Sequence, residues 1–180
     1  MTPAVDHIPA GTTERTLPAG EWVVDAQGSE VGFAVKDLWG LRTVRGSFGA
    51  YDGSLTVRSG DVAGELLIEA GSLDTGHTRR DQHLRSPAFF DVERHPRMVF
   101  TTTAATARVV GVTVTGELAI GSSRVRLEIP VNVERLADGA RRLEGRTTVA
   151  RQTAGLGWNK LGMIRGDAVL HAQLTLRPHQ

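Results

Sequence analysis

The alternation in "RVRLEIPVNVE", residues 124–134, constrains the fold more than any other feature of the chain. Val125, Leu127, Ile129, Val131 and Val133 fall on one side, and Arg124, Arg126, Glu128, Asn132 and Glu134 on the other. A strand sends successive side chains to opposite faces, so this segment is a strand with one buried side. Pro130 interrupts the polar face; it cannot donate to a ladder, which predicts an edge or a bulge at that point.

The same period returns along the chain. It holds for Val31, Phe33 and Val35, and for Val44, Gly46 and Phe48. It holds again for Leu66 and Ile68, for Met98 and Phe100, and for Val112, Val114, Leu118 and Ile120. Ala168, Leu170, Ala172, Leu174 and Leu176 complete the series. Between the runs stand turn signals at Asp52–Gly53, Ser59–Gly60–Asp61, Gly121–Ser122 and Asp138–Gly139. Short connections favour antiparallel hairpins, and no long helical period competes. The fold is therefore all-β, with about eight strands that each bury one face. Two packed sheets and one rolled barrel both satisfy that pattern.

One stretch departs from it: "RRDQHLRSPAFFDVERHPRMVF", residues 79–100. Thr78 followed by Asp81 has the form of a capping box, so a short helix is predicted there. Asp81 and Arg85 have the order that favours an i,i+4 ion pair. Ser86–Pro87 ends the helix and opens a second turn carrying Phe89 and Phe90. The stretch is a helical insert between strands, its apolar side formed by Leu84, Phe89 and Phe90, its arginines and Asp81 placed to satisfy loop amides and carbonyls.

Its chemistry admits other readings. His77, Asp81 and His83, with His95, are a possible metal set, but an i,i+6 spacing does not put the two histidines on one helical face, and no H-E-x-x-H supports it. Asp81 with His83 is a possible acid/base pair. Ser72, Ser122 and Ser123 lack the G-x-S-x-G setting of a nucleophile elbow. The "GLG" at 155–157 is not followed by a helical pattern and makes no phosphate loop. Arg141, Arg142, Arg146 and Arg151 form a basic run diluted by Asp138 and Glu144, read as a solvated hairpin. No metal and no cofactor is expected.

Bulk properties narrow the partners. A formal net charge of +1 provides no field for nucleic acid. Absence of cysteine excludes disulfides and thiolate chemistry and suits a cytoplasmic setting. No run approaches the roughly 20 apolar residues of a membrane helix, so stable membrane insertion is not expected. Residues 1–18, with three prolines and several threonines but no basic-then-apolar start, read as a flexible lead-in to a domain at 19–178 rather than as an export signal.

The residues also carry a family resemblance. "WVVDAQGSEVGF" supplies Trp22, Asp25, Ser29, Val31 and Phe33, and "VRGSF" supplies Val44, Gly46 and Phe48. Within "ELLIEAGSLDTGHTRRDQHLRSPAFFDVERHPRMVF" the matching positions are Ser72, Leu73, Asp74, Thr75, Arg80, Asp81, His83, Leu84, Phe89, Phe90, Asp91, Pro96 and Phe100. Gly116 with Leu118, and Arg151 with Gly155, add to it. Over residues 20–177 the chain resembles the YceI-like family of lipocalin-like barrels that bind polyisoprenoids. The resemblance implies an eight-stranded antiparallel β-barrel with a short helical insert at one end, a hydrophobic pocket for an isoprenoid chain, and a homodimer. On that basis the pocket is expected to be lined by Phe33, Val35, Phe48, Leu66, Ile68, Leu84, Phe89, Phe90, Met98 and Phe100. Arg80 and His83 are the candidates to meet a pyrophosphate or quinone head, with pairing to Asp81 or Asp91 as the alternative for Arg80. The expected role is carrier, storage or stress protection. Its rivals are broad sequestering of hydrophobic molecules such as antibiotics, and an enzyme using His83 and Asp81 on a lipid.

Overall fold

The computed structural model of the protein describes residues 12–14, 17–37, 42–59, 61–150 and 165–179. Among them are eleven strands: β1 (Thr12–Glu14), β2 (Gly20–Asp37), β3 (Arg42–Phe48), β4 (Tyr51–Arg58), β5 (Asp61–Glu69), β6 (Leu73–Asp74), β7 (Arg97–Ala107), β8 (Val112–Ile120), β9 (Ser123–Arg135), β10 (Arg141–Val149) and β11 (Arg165–Pro178). One α-helix, α1 (Thr78–Arg85), and a single 3-10 turn at Ala70–Ser72 interrupt them.

Eight of these strands form a ring in the order β2–β4–β5–β7–β8–β9–β10–β11, and β11 pairs back onto β2 to close it. The pairings are antiparallel throughout. Closure removes the free edges that an open sheet would expose. It also decides between the two arrangements that alternation allowed: the apolar faces meet inside one barrel.

β3 and β4 together occupy one wall position. β3 pairs with the second half of β2, from Phe48↔Val31 to Arg42↔Asp37, and β4 with its first residues, from Val57↔Gly20 to Ser54↔Val23. The bend between them lies at Gly49–Ala50, so the turn expected at Asp52–Gly53 is corrected: both residues lie inside β4. Gly53 is there for space, since a Cβ would stand 2.7 Å from the Glu65 carbonyl oxygen of the neighbouring strand. At Gly121 (φ 55°) and Gly139 (φ 86°) the expected turns are present, in backbone that favours glycine.

β2 changes its inward parity partway along. Trp22 and Val24 face inward at even positions, whereas Val31, Phe33 and Val35 do so at odd ones. The register against β11 shifts between Glu30↔Gln173 and Asp25↔Thr175, which marks a large bulge. Side chains hold that bulge in place. The Thr175 hydroxyl donates to the Gly28 carbonyl at 2.6 Å, and the Thr175 amide donates to Ser29 Oγ at 2.9 Å. Ser29 Oγ donates to the Asp25 carbonyl at 2.6 Å, and the Tyr51 hydroxyl to the Ser29 carbonyl at 2.5 Å.

β9 shows the predicted alternation, with Val125, Leu127, Val131 and Val133 buried. Pro130 falls just beyond the end of its pairing with β10, which runs from Arg135↔Arg141 to Val131↔Gly145. The missing donor is thus placed where the ladder to β10 stops, and the Thr147 hydroxyl reaches across to the Glu128 carbonyl at 3.4 Å. The arginine run lies on the β9–β10 hairpin as far as it is described: Arg146 is exposed, and Arg151 lies outside the described residues. Arg141 is buried, with its guanidinium 5.6 Å above the Trp22 ring, and Arg142 pairs with Glu134 at 3.3 Å.

Of the expected lead-in, Thr12–Glu14 pairs with Val133–Arg135 of β9, and residues 1–11, 15 and 16 lie outside the described residues. The Arg151–Gly155 match lies outside them as well.

Candidate ligand-binding cavity

The insert after β6 covers one end of the barrel. Its helix begins as expected at Thr78, but the cap is His77, whose Nδ1 accepts from the Arg80 amide at 3.4 Å. The capping box is absent because Asp81 turns inward instead. Asp81 is buried and accepts from the Thr75 amide at 3.1 Å and from the Thr75 hydroxyl at 2.5 Å. The Asp81–Arg85 ion pair is likewise replaced: Arg85 donates from Nε to the Gly71 carbonyl at 2.9 Å and from Nη2 to the Leu73 carbonyl. Loop carbonyls buried under an insert need donors, and arginine provides several in a fixed fork. Arg80, Asp81 and Arg85 therefore fasten the helix to the Gly71–Thr75 segment that leads into it.

Below it lies a cavity of about 560 Å³. All ten residues expected to line a pocket do line it: Phe33, Val35, Phe48, Leu66, Ile68, Leu84, Phe89, Phe90, Met98 and Phe100. Phe48 bridges wall and insert, its ring 5.8 Å from Phe33 and 6.2 Å, edge-on, from Phe90. Aromatic pairs of this kind add about 0.5–1.5 kcal/mol beyond their burial.

Two glycines make room for the rings. A Cβ on Gly46 would lie 2.6 Å from the Phe33 ring, and one on Gly116 would lie 2.5 Å from the Phe100 ring. Each ring packs against a neighbouring strand at a point where that strand has no side chain. Both glycines belong to the residues through which the sequence resembles its family, and this is their physical role.

The cavity continues past those ten residues to the other end of the barrel. There Val24, Leu55, Val57, Val62, Val112, Val114, Leu143 and Leu176 line it. Sequence reasoning did not assign these residues to a pocket, although the same period-two pattern already put Val112, Val114 and Leu176 on inward faces. Arg58, Ser59 and Asp61, where β4 turns into β5, also border the cavity and carried no signal beyond a turn.

Arg80 and His83 are not among the lining residues. Arg80 donates from Nε to the Thr75 hydroxyl at 2.7 Å and from Nη2 to the Thr75 carbonyl at 2.8 Å. His83 is exposed, its ring 5.3 Å from that of Phe89 in an edge contact. Among the described residues no three His, Asp or Glu side chains gather as a metal site would require. The groups with shifted titration also lie off the cavity lining. Hydrogen bonds from Arg177 hold the Asp25 and Asp138 carboxyls below the usual carboxylate range and raise Arg177 itself, and burial pushes the Tyr51 phenol up.

A closed antiparallel barrel around an apolar cavity, with a helical insert over one end, defines a lipocalin-like binding fold. Residues 22–176 match the YceI-like domain, and the chain belongs to that family. A UPF0312 protein of Yersinia enterocolitica is 36% identical over 113 residues, covering 60% of this chain and 58% of the relative, so the match spans less than two thirds of that protein. BcnA of Burkholderia cenocepacia has the same fold, with a TM-score of 0.77 at 18% identity over 84% of this chain and 98% of that one. A polyisoprenoid-binding domain from Saccharophagus degradans superposes with a TM-score of 0.73 at 15% identity, over 88% and 98%.

Proposed function

We propose that the protein binds an isoprenoid or similar long-chain amphiphile, such as a polyprenyl phosphate or an isoprenoid quinone, and acts as its carrier or store. The observation that carries this reading is the cavity of about 560 Å³ with apolar side chains from every wall of the ring. That volume lies within the roughly 300–1,000 Å³ of small-molecule sites. Each buried CH₂ contributes about 0.8 kcal/mol, so an isoprenoid chain gains affinity from the walls with few polar contacts. We place the head group beside Arg58, Ser59 and Asp61, which border the cavity, rather than beside Arg80 and His83, which do not. Binding, not catalysis, is the role this reading assigns, because Asp81 is committed to Thr75. Absence of cysteine is consistent with the proposed cytoplasmic setting, and the family resemblance supports the proposed homodimer, which sedimentation would check.

Organic extraction of the protein from its native host, followed by mass spectrometry, tests the reading. A stoichiometric amphiphile is the expected result. Protein recovered empty, which also takes up neither prenyl quinones nor polyprenyl phosphates, would refute it.

A further inference from the structure

Turn tips usually carry glycine, proline, asparagine, aspartate or serine, which suit tight backbone and water. The β7–β8 connection instead carries Val109 and Val110, 90% and 59% exposed. No other described residue is an exposed large hydrophobic. The Arg108 amide donates to the Gly111 carbonyl at 3.0 Å and closes the turn through backbone alone. The two valines thus serve neither the turn nor the core.

They stand on the rim of the cavity. Ala107 and Val112, the last pair before the loop, both line it. This is the end opposite α1, where the β4–β5 and β9–β10 connections also lie. Three arginines stand at these connections: Arg58 at the end of β4, Arg108 in the β7–β8 turn and Arg135 at the end of β9. All are exposed, and no guanidinium among them has a hydrogen bond or ion pair within the described residues. Of the carboxylates at this end, Asp138 is held by Arg177 at 2.7 Å and Glu134 by Arg142 at 3.3 Å. Asp61 and Glu21 offset part of the remaining positive charge.

An apolar tip set among cations suits the boundary between lipid headgroups and acyl chains. The valines can enter the apolar side of that boundary while the guanidinium groups meet anionic headgroups. We infer that this end of the barrel is a membrane-docking surface for a bilayer containing anionic lipid. Docking there sets the cavity mouth against the phase from which an amphiphile is drawn. The inference rests on the lipid-binding reading for what passes through the mouth, while the docking itself is measured without that ligand.

The test is co-sedimentation of the full chain with phosphatidylcholine vesicles made with and without phosphatidylglycerol. Binding is expected to require phosphatidylglycerol and to weaken as salt rises. The V109D/V110D protein should partition about tenfold or more weakly, and R108E should weaken binding as well, both with unchanged melting temperatures. Both variants should still take up a prenyl quinone added without vesicles. Wild-type protein that ignores anionic vesicles, or a V109D/V110D variant that binds them as wild type does, would overturn the inference. Uptake of quinone from solution without vesicle binding would overturn it and leave the lipid-binding reading standing. Vesicle binding without quinone uptake would support docking and count against that reading. Self-association abolished by V109D, with no vesicle binding, would overturn docking in favour of a contact between copies of the chain.

Discussion

A methyl group at position 46 would lie 2.6 Å from the Phe33 ring and 2.9 Å from the Thr75 side chain. The Phe33 ring is the freer of the two, since the cavity is open beside it. Gly46→Ala is therefore expected to push the ring inward, at a stability cost of about 1–3 kcal/mol typical of overpacking. Titration with a prenyl quinone should show lower affinity, and urea denaturation should show the loss of stability. At this level the sequence was readable where side-chain type decided the outcome. Ten apolar residues chosen from alternation and resemblance all line the cavity. Arg80 and His83 were not readable in the same way. A charged residue in a helical insert can face a ligand or a neighbouring loop, and spacing does not distinguish them. The structure gives Arg80 to Thr75.

Among the strands, alternation found the runs that keep one parity and was silent on where parity changes. β2 shifts its inward face across the Asp25–Glu30 bulge, which no period-two pattern can express. Its Asp25 is one of two carboxylates held by Arg177, at 2.8 Å, with Asp138 at 2.7 Å from the other side. Through these bonds one side chain ties β2, the β9–β10 turn and β11 together. Both carboxyls have folded-state values below the usual carboxylate range, chiefly because of the Arg177 hydrogen bonds. The stability they contribute is therefore full above the ordinary carboxylate range and is lost as pH falls through that range and then through the lowered values. Arg177→Gln is expected to flatten this acid limb while changing little about the response at higher pH. Urea midpoints measured across a pH series, for both proteins, would check it. The helix was found at its true start for a different local reason: the insert needed a cap, and His77 rather than Thr78 supplies it.

Taken as one body, the protein is a ring around a hollow, and neither closure nor the cavity follows from periodicity. The alternating runs were equally compatible with two packed sheets, and only the pairing of β11 with β2 makes a barrel. A ligand held inside binds the folded state and not the unfolded chain. It should therefore raise stability by about 2.7 kcal/mol at a hundredfold excess over Kd. Melting curves in the presence of graded prenyl quinone should rise with concentration, while a soluble headgroup analogue lacking the chain should have little effect.

That same pairing of β2 with β11 sets a condition on synthesis. Trp22 and Pro178 are partners, yet nearly the whole described chain is translated between them. Until β11 leaves the ribosome, β2 on one side and β10 on the other present unsatisfied backbone edges, each a template for pairing with another nascent chain. Distant partners of this kind also make folding slow. A product released before β11 would therefore be a curled open sheet with two adhesive margins, so premature termination upstream of β11 produces an aggregation hazard rather than a weakened barrel.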